Sequence, residues 1–257
     1  LALAGFVCNL TAVVVISLKL IPSLKESFGA LTLSQAVADC IHQAIFAFYL
    51  VPCLLLRNEV IYSWSEQFGF TLICIYNVCG TAHVSISANR FLACYAPFVY
   101  EHLFSKRNTR LLIGFYWMFG IVSTTVLLKI LDCSNFLKHE GWVFGFKDTP
   151  TCQSVQWYVE FIKYVIYVAI VAVFDSCSIL RIHVLNIRFQ KNGKTPASSA
   201  MKSAERNLVY QAALQGIFFL LELITYFILS PLARNKWELF LLTTVSWCIV
   251  HAMDGSV

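Results

Sequence analysis

Several ionisable side chains stand inside long apolar runs of this sequence. They include Asp39, His42, His83, Asp175, Glu222, His251 and Asp254. An ionised group in the middle of a bilayer costs at least ~2.5–3.5 kcal/mol, so such residues usually face a cavity or a partner. Three interpretations are open: a polar core that rearranges during signalling, helix contacts that are hydrogen-bonded to each other, and a metal site, because histidine and aspartate bind zinc.

Position along the runs favours a shared polar core. Counting ~1.5 Å of rise per helical residue places Asp39, His83 and Asp254 in the middle to inner half of a bilayer. We expect these three, together with Asn9 and His251, to form one polar core switch. The metal interpretation is weaker, because the one local pair is His251 and Asp254 and no His-Glu-x-x-His motif occurs.

Composition identifies the elements that must position these residues. The chain has 257 residues, of which 58% are hydrophobic and 13% are charged, whereas soluble domains carry roughly 25% charged residues. Seven apolar segments approach the ~20 residues that a membrane-spanning helix needs. We number them spans one to seven: residues 1–20, 28–56, 68–95, 111–131, 157–180, 208–230 and 237–257. The predicted fold is an all-α membrane protein, a seven-transmembrane helix bundle.

Charge asymmetry gives the orientation of the bundle. Twelve of the nineteen lysines and arginines fall in one set of loops and the span ends beside them, six fall in or beside the opposite set, and Lys163 lies inside span five. Cytoplasmic loops carry the excess of positive charge. The N-terminus is therefore predicted to be extracellular and the C-terminus cytoplasmic. The net charge of +5 is too modest to indicate a nucleic-acid partner. The hydrophobic composition makes the lipid bilayer the expected environment.

Two of the ten cysteines lie apart from the spans. Cys133 and Cys152 flank the long loop between spans four and five, on the predicted outer side. An extracellular compartment permits a disulfide between them, and two free thiols are the alternative.

The inner end of span three carries the most specific motif, in "SANRFLACYAPF". With seven predicted helices, an outer N-terminus and this segment, the chain resembles the rhodopsin-like G-protein-coupled receptors. Asn89, Arg90 and Phe91 resemble their Asp-Arg-Tyr triplet, and Asp39 in "QAVADC" resembles the acid of their second helix. Three further segments, "LKLIPSLKESFGALTLSQAVAD", "QGIFFLLELITYFILSPLARNKWELFLLTT" and "WCIVHAMDG", resemble the nematode chemosensory family called serpentine receptor class x, or Srx.

This resemblance implies a function and its partners. A chemoreceptor of this type binds a small-molecule ligand from outside and activates a heterotrimeric G protein, with Asn89, Arg90 and Phe91 at the coupling end. It would lie in the plasma membrane, on the cilia of sensory neurons. The expected ligand pocket, between spans three, five, six and seven, is mostly apolar with a few polar groups. Its candidate residues are Tyr76, Asn77, Tyr164 and Tyr226.

The sequence also departs from the better-known receptors. No cysteine lies around residues 65–69, where the outer start of span three is usually tethered to the second outer loop, and this favours a bond between Cys133 and Cys152. Asn89 replaces the acid that usually restrains the arginine, so we expect Arg90 at the cytoplasmic rim with a weaker restraint. The activation switch of those receptors therefore cannot be transferred to this chain residue by residue.

An enzyme is the alternative from another class. An intramembrane metal-dependent hydrolase could use the histidines and aspartates of the bundle core. No nucleophile–base set, phosphate loop or cofactor fingerprint supports it, so we expect no catalytic residues, no metal and no cofactor. Residues 1–257 are expected to form a single seven-transmembrane domain of the Srx type, as a fragment that lacks the start of the N-terminus and the C-terminal tail.

Overall fold

A computed structural model of the chain describes residues 1–20, 27–139, 141–191 and 199–256. Almost all of these residues are helical, as lipid requires, since only a helix or a closed barrel satisfies the backbone without water. The helices are α1 Ala2–Ser17, α2 Ser27–Ile45, α3 Val51–Leu56, α4 Glu59–Tyr62, α5 Ser65–Tyr95, α6 Pro97–Leu103, α7 Lys106–Thr125, α8 Pro150–Val155, α9 Ile162–Lys191, α10 Ser199–Leu223, α11 Lys236–Phe240 and α12 Ser246–Ser256. Single π-helical turns join several of them: Phe46–Leu50, Val126–Ile130, Gln156–Phe161, Ile224–Leu229 and Leu241–Val245.

Joined in this way, the helices form long segments at the predicted spans. Five segments in the described residues are long and apolar enough to cross a membrane: Ser27–Leu56, Glu59–Tyr95, Lys106–Ile130, Pro150–Leu185 and Ala213–Leu232. The first and seventh predicted spans are also helical and pack together as α1 and α12, although neither is among those five. The helical class and the positions of the spans agree with the prediction.

Short polar residues begin several helices at the loops. Asn58, Ser105, Thr149 and Asn235 each accept a hydrogen bond from a backbone N–H in the first turn that follows. These side chains satisfy donors that have no partner within the helix. The loop sequences therefore fix where four of the helices start.

The helix α5 of span three lies at the centre of the bundle. It packs against α2, α7, α9 and the first strand of the outer loop. Its apolar residues are spread around the whole helix, which is typical of a helix that is buried on all sides. Most of its side chains from Leu72 to Gly80 are buried, so the polar residues of α5 meet protein rather than lipid.

Spans five and six extend further than predicted. The helix α9 continues to Lys191 rather than ending at residue 180, and α10 begins at Ser199 rather than at residue 208. A helix is free to continue into water where its residues have good helix propensity, so a hydropathy boundary marks the bilayer and not the helix end. The predicted segment between spans five and six, residues 181–207, is therefore shorter as a loop, and residues 192–198 of it lie outside the described part, as do residues 21–26.

The long outer loop contains the one departure from all-α structure in the described residues. Strands β1 Asn135–Lys138 and β2 Val143–Phe146 pair antiparallel, with Asn135 opposite Phe146; we call them the outer hairpin. Cys133 and Cys152 form a disulfide within this loop, with their Cα atoms 5.3 Å apart. The disulfide closes the loop on itself and joins no two spans.

Gly69 in the first turns of α5 docks the outer hairpin onto span three. A Cβ atom at this position would lie 2.0 Å from the backbone oxygen of Asn135, so only glycine allows this approach. Tyr62, Tyr226 and Thr244 donate hydrogen bonds from their hydroxyls to backbone carbonyls of the same loop. The hairpin thus covers the outer end of the bundle without the usual cysteine tether to span three.

Candidate functional site

One face of α5 carries a row of polar side chains that runs along span three. Tyr76, Cys79, His83, Ser87 and Arg90 are spaced by three or four residues, which places them on the same side of a helix. At ~1.5 Å per residue the row is about 21 Å long. We call these five residues the polar row. In the structure the polar row meets acids on four other spans, as described below from the outside inwards.

The outermost contact of the polar row joins spans three and six. The Tyr76 hydroxyl donates a hydrogen bond of 2.6 Å to Glu222, and both side chains are buried. Beside them lies a narrow cavity, which we call the outer cavity. Its lining includes Tyr76, Phe146, Tyr164, Glu222, Tyr226 and Trp247. Three of the four predicted pocket residues therefore line one space, together with Phe146 of the outer hairpin.

Asn77, the fourth predicted pocket residue, does not line the outer cavity. Its amide nitrogen donates to Thr124 of span four at 3.2 Å, and its oxygen accepts from Lys163 and Tyr164 of span five. One residue along a helix rotates the side chain by about 100°, so Asn77 faces spans four and five when Tyr76 faces span six. Its role is to hold Lys163, which pairs with Glu160 at 2.7 Å.

The next contact of the polar row lies among spans one, two, three and seven. His251 Nδ1 is 2.6 Å from Asp39 Oδ1, and the Cys79 thiol donates to the same oxygen at 3.3 Å. Asn9 donates to the backbone oxygen of His251 at 2.9 Å. All four side chains are fully or almost fully buried. Asn9, Asp39 and His251 of the predicted core therefore come together, and Cys79 joins them.

His83 and Asp254 form a separate layer, one turn nearer the cytoplasm. His83 Nε2 lies 3.3 Å from Asp254 Oδ2 and 3.1 Å from the side-chain nitrogen of Gln35. Spans two, three and seven each give one residue to each layer, because Gln35, His83 and Asp254 lie one turn from Asp39, Cys79 and His251 respectively. The predicted single cluster is thus two stacked acid–histidine pairs.

The innermost contact joins spans three and five. Arg90 Nη2 lies 3.1 Å from Asp175 Oδ1, and the Ser87 hydroxyl donates to the same carboxylate at 3.0 Å. The side chain of Arg90 is 12% exposed and that of Asp175 is 3% exposed. The expectation of a weakly restrained Arg90 at the rim was wrong in this structure. Position 89 carries no acid, but Asp175 of span five pairs with Arg90 instead.

The two neighbours of Arg90 point to other elements. Asn89 donates to the hydroxyl of Ser27 at the start of α2, and that hydroxyl also lies 3.0 Å from the hydroxyl of Tyr100 in α6. Phe91 stacks on Phe174 of span five, with ring centroids 4.9 Å apart. The triplet therefore joins the inner ends of spans two, three and five.

Three buried side chains have the types and spacing of metal ligands. Asp39, Cys79 and His251 each offer an atom within 4.8 Å of the others. His42, another histidine proposed from sequence, lies beside His251 with ring centroids 3.9 Å apart and ring planes tilted by 30°, and it is not a member of this group. In the structure Cys79 and His251 both bond to Asp39, and none of the three side chains lines the outer cavity. Their geometry suits a dry helix contact better than a site that must admit water and substrate.

Sequence reasoning missed several members of the polar row and their partners. Cys79 and Ser87 were not proposed, and Asp175 and Glu222 were noted only as acids inside spans. The signal that could have found them is the spacing of polar residues by three and four from Tyr76 to Arg90. Through its contacts with acids, the row joins span three to spans two, five, six and seven.

Comparison with known proteins adds to this geometry. The family profile described as serpentine type 7TM GPCR chemoreceptor Srx matches residues 1–257. Serpentine receptor class X 45 of Caenorhabditis elegans is 30% identical over 98% of this chain and 74% of its own length. Serpentine receptor class X-43 of the same organism is 27% identical over 100% of this chain and 82% of its own length. With its membrane-spanning helices, the chain belongs to the Srx family of serpentine, seven-transmembrane chemoreceptors.

Proposed function

We propose that the chain is a chemosensory receptor that binds a small molecule in the outer cavity and activates a heterotrimeric G protein at the inner end of span three. The plasma membrane of sensory cilia is the proposed location, since an external ligand must reach the cavity from the extracellular side. Family membership supports the receptor class. Binding of a small-molecule ligand and activation of a G protein are the two steps that this proposal adds.

The observation that carries the proposal is the course of the polar row. It begins at Tyr76 beside the outer cavity and ends at Arg90, and every contact between them crosses to a different span. A ligand that displaces span six at Glu222 therefore acts on the same helix that holds Arg90. Coupling of this kind needs a structural element with two arrangements. Binding at the outer cavity and binding at the inner end of span three must each favour one of them.

A signalling assay tests the proposal. Wild type, Arg90→Ala and a surface control, Arg110→Ala, are expressed at equal surface levels in a heterologous cell, and second-messenger output is recorded at rest and with candidate odorants. Arg110 is exposed at the inner start of α7. We expect Arg90→Ala alone to lose the response. An undiminished response in Arg90→Ala contradicts the coupling role of this residue.

The hydrolase alternative depends on Asp39, Cys79 and His251. Each of the three is at most 2% exposed, and catalysis at a metal there requires an open coordination position for water. The burial of all three favours the receptor. Metal analysis of the purified protein separates the two functions: one zinc per chain that His251→Ala removes would support the hydrolase.

A further inference from the structure

Five carboxylates lie buried among the side chains that the structure describes in the bundle, and four of them face a basic side chain. The pairs are Asp39 with His251 at 2.6 Å, Glu160 with Lys163 at 2.7 Å, Asp175 with Arg90 at 3.1 Å and Asp254 with His83 at 3.3 Å. Glu222 is the fifth. Within the described residues its side chain has no ion pair, and its partner is the neutral hydroxyl of Tyr76.

Glu222 is buried away from bulk water, which therefore does not replace the missing cation. Its residue is 3% exposed, and an isolated carboxylate in such a place is strongly unfavourable unless it is protonated or paired. A ligand that carries a positive charge would complete the fifth pair. The hydroxyl of Tyr76 already donates to one carboxylate oxygen, which keeps Glu222 oriented beside the outer cavity.

The walls of the outer cavity also suit a cation. Rings of Tyr76, Tyr164, Tyr226 and Trp247 surround it, and the Tyr76 ring centroid lies 4.4 Å from that of Tyr164 and 5.3 Å from that of Trp247. Aromatic faces attract cations through their negative quadrupole. The alkyl part of an organic cation would gain from the same apolar surface.

Charge and volume limit the ligand further. Glu160 also lines the outer cavity, but Lys163 already pairs with it, so one negative charge is left to neutralise. The volume of the outer cavity is about 20 Å³, which is room for about one water. An ammonium group fits this space, and an attached alkyl chain must displace the surrounding rings.

We propose that Glu222 is the recognition residue for a small organic monocation, a protonated alkylamine, whose ammonium group enters the outer cavity. The inference rests on the proposed function, since it names the ligand class of the same receptor site. It assigns the ammonium to the Glu222 carboxylate and the alkyl chain to the aromatic walls.

The test measures binding without a G protein. The purified receptor in lipid nanodiscs is heated with n-butylamine, which is protonated at pH 7, or with 1-butanol, its neutral counterpart, and the Tm is recorded against concentration. The variants are Glu222→Gln, which keeps the shape and loses the charge, and Glu222→Asp, which keeps the charge. Glu66→Gln removes an exposed carboxylate at the outer start of α5 and is the matched control.

We expect n-butylamine to raise the Tm of wild type and Glu66→Gln, and 1-butanol to have no such effect. Glu222→Gln should weaken the amine about tenfold or more, as expected for the loss of one charge-assisted hydrogen bond, and Glu222→Asp should retain part of the affinity. Equal amine shifts in wild type and Glu222→Gln, or no amine shift at millimolar concentration, would overturn the inference.

The outcomes also separate this inference from the proposed function. Binding and signalling by 1-butanol alone would refute the ligand class and leave the receptor intact. Amine binding that depends on Glu222 but elicits no second-messenger response would support the site and contradict the proposed G-protein coupling.

Discussion

Arg90 and Asp175 form an ion pair, with 3.1 Å between Nη2 and Oδ1, that joins the inner ends of spans three and five. The Ser87 hydroxyl bonds to the same carboxylate, so three side chains hold this contact. The pair is almost completely buried. The opening of the bundle at its cytoplasmic end that the proposed function requires would break or exchange this contact.

Weakening this pair is expected to raise basal signalling. Asp175→Asn keeps the size of the side chain and removes its charge. A loss of about 1–2 kcal/mol from the restrained arrangement would change its ratio to the open one by roughly 5–30-fold. Second-messenger output without ligand, normalised to surface expression, measures the effect. Basal output equal to wild type would show that Asp175 does not restrain Arg90.

The Asp39–His251 contact is expected to be the most sensitive of the stacked pairs. Removing one partner of a buried pair leaves the other uncompensated and typically destabilises by about 3–5 kcal/mol. We therefore expect Asp39→Ala and His251→Ala each to lower the free energy of unfolding in detergent by this order. The double variant should lose less than the sum of the two, because neighbouring residues are not additive.

An exposed ion pair gives the matched control for these two single variants and their double variant. Lys138 and Asp148 are also 2.6 Å apart, but Asp148 is 74% exposed. Asp148→Ala should change the free energy of unfolding by about 1 kcal/mol or less. Strict additivity of Asp39→Ala and His251→Ala would mean that the two side chains do not interact.

Gly69→Ala is expected to separate the outer hairpin from span three. The added methyl would lie 2.0 Å from the backbone oxygen of Asn135, and overpacking of this kind typically destabilises by about 1–3 kcal/mol. Hydrogen exchange of residues 135–146 should accelerate. Gly114→Ala is the control, since a methyl there meets no atom within 4 Å and alanine favours a helix. Equal exchange in both variants would contradict the docking contact.

Loss of the disulfide is expected to loosen the outer loop and leave the bundle folded. Closure of a loop of this size stabilises it by roughly 3 kcal/mol. The double variant Cys133→Ser with Cys152→Ser should therefore be cleaved faster by protease between these positions, with little change in helical circular dichroism. Cys8→Ser, at a cysteine outside the disulfide, is the control. Collapse of the helical signal in the double variant would show that the loop supports the whole bundle.

The helical bundle could be predicted from the sequence because apolar runs of this length have one solution in lipid. Arg90 and the polar core residues could likewise be found from the sequence, because polar and ionisable side chains are costly in apolar spans. Which acid meets which base was not predictable, because this depends on how each helix is rotated and shifted against α5. Asn77 shows the limit: one position from Tyr76, it faces a different pair of spans.

The outer hairpin was not predicted for a different reason. Its strands are four residues each, and the sequence of their segment predicts only a long loop with two cysteines. Its position depends on the approach of Asn135 to Gly69, a contact between residues that are 66 positions apart in the chain. No local pattern in either segment indicates such a contact.

The self-contained disulfide loop has a consequence for how such receptors can diverge. Since its covalent bond joins only its own two ends, the segment between Cys133 and Cys152 can accumulate substitutions as a unit without requiring compensating cysteine changes in span three. Its tightest contact with the bundle is at Gly69, where any side chain would clash with the backbone of Asn135. Residues of this loop that cover the cavity can therefore change without altering a covalent bond to any span.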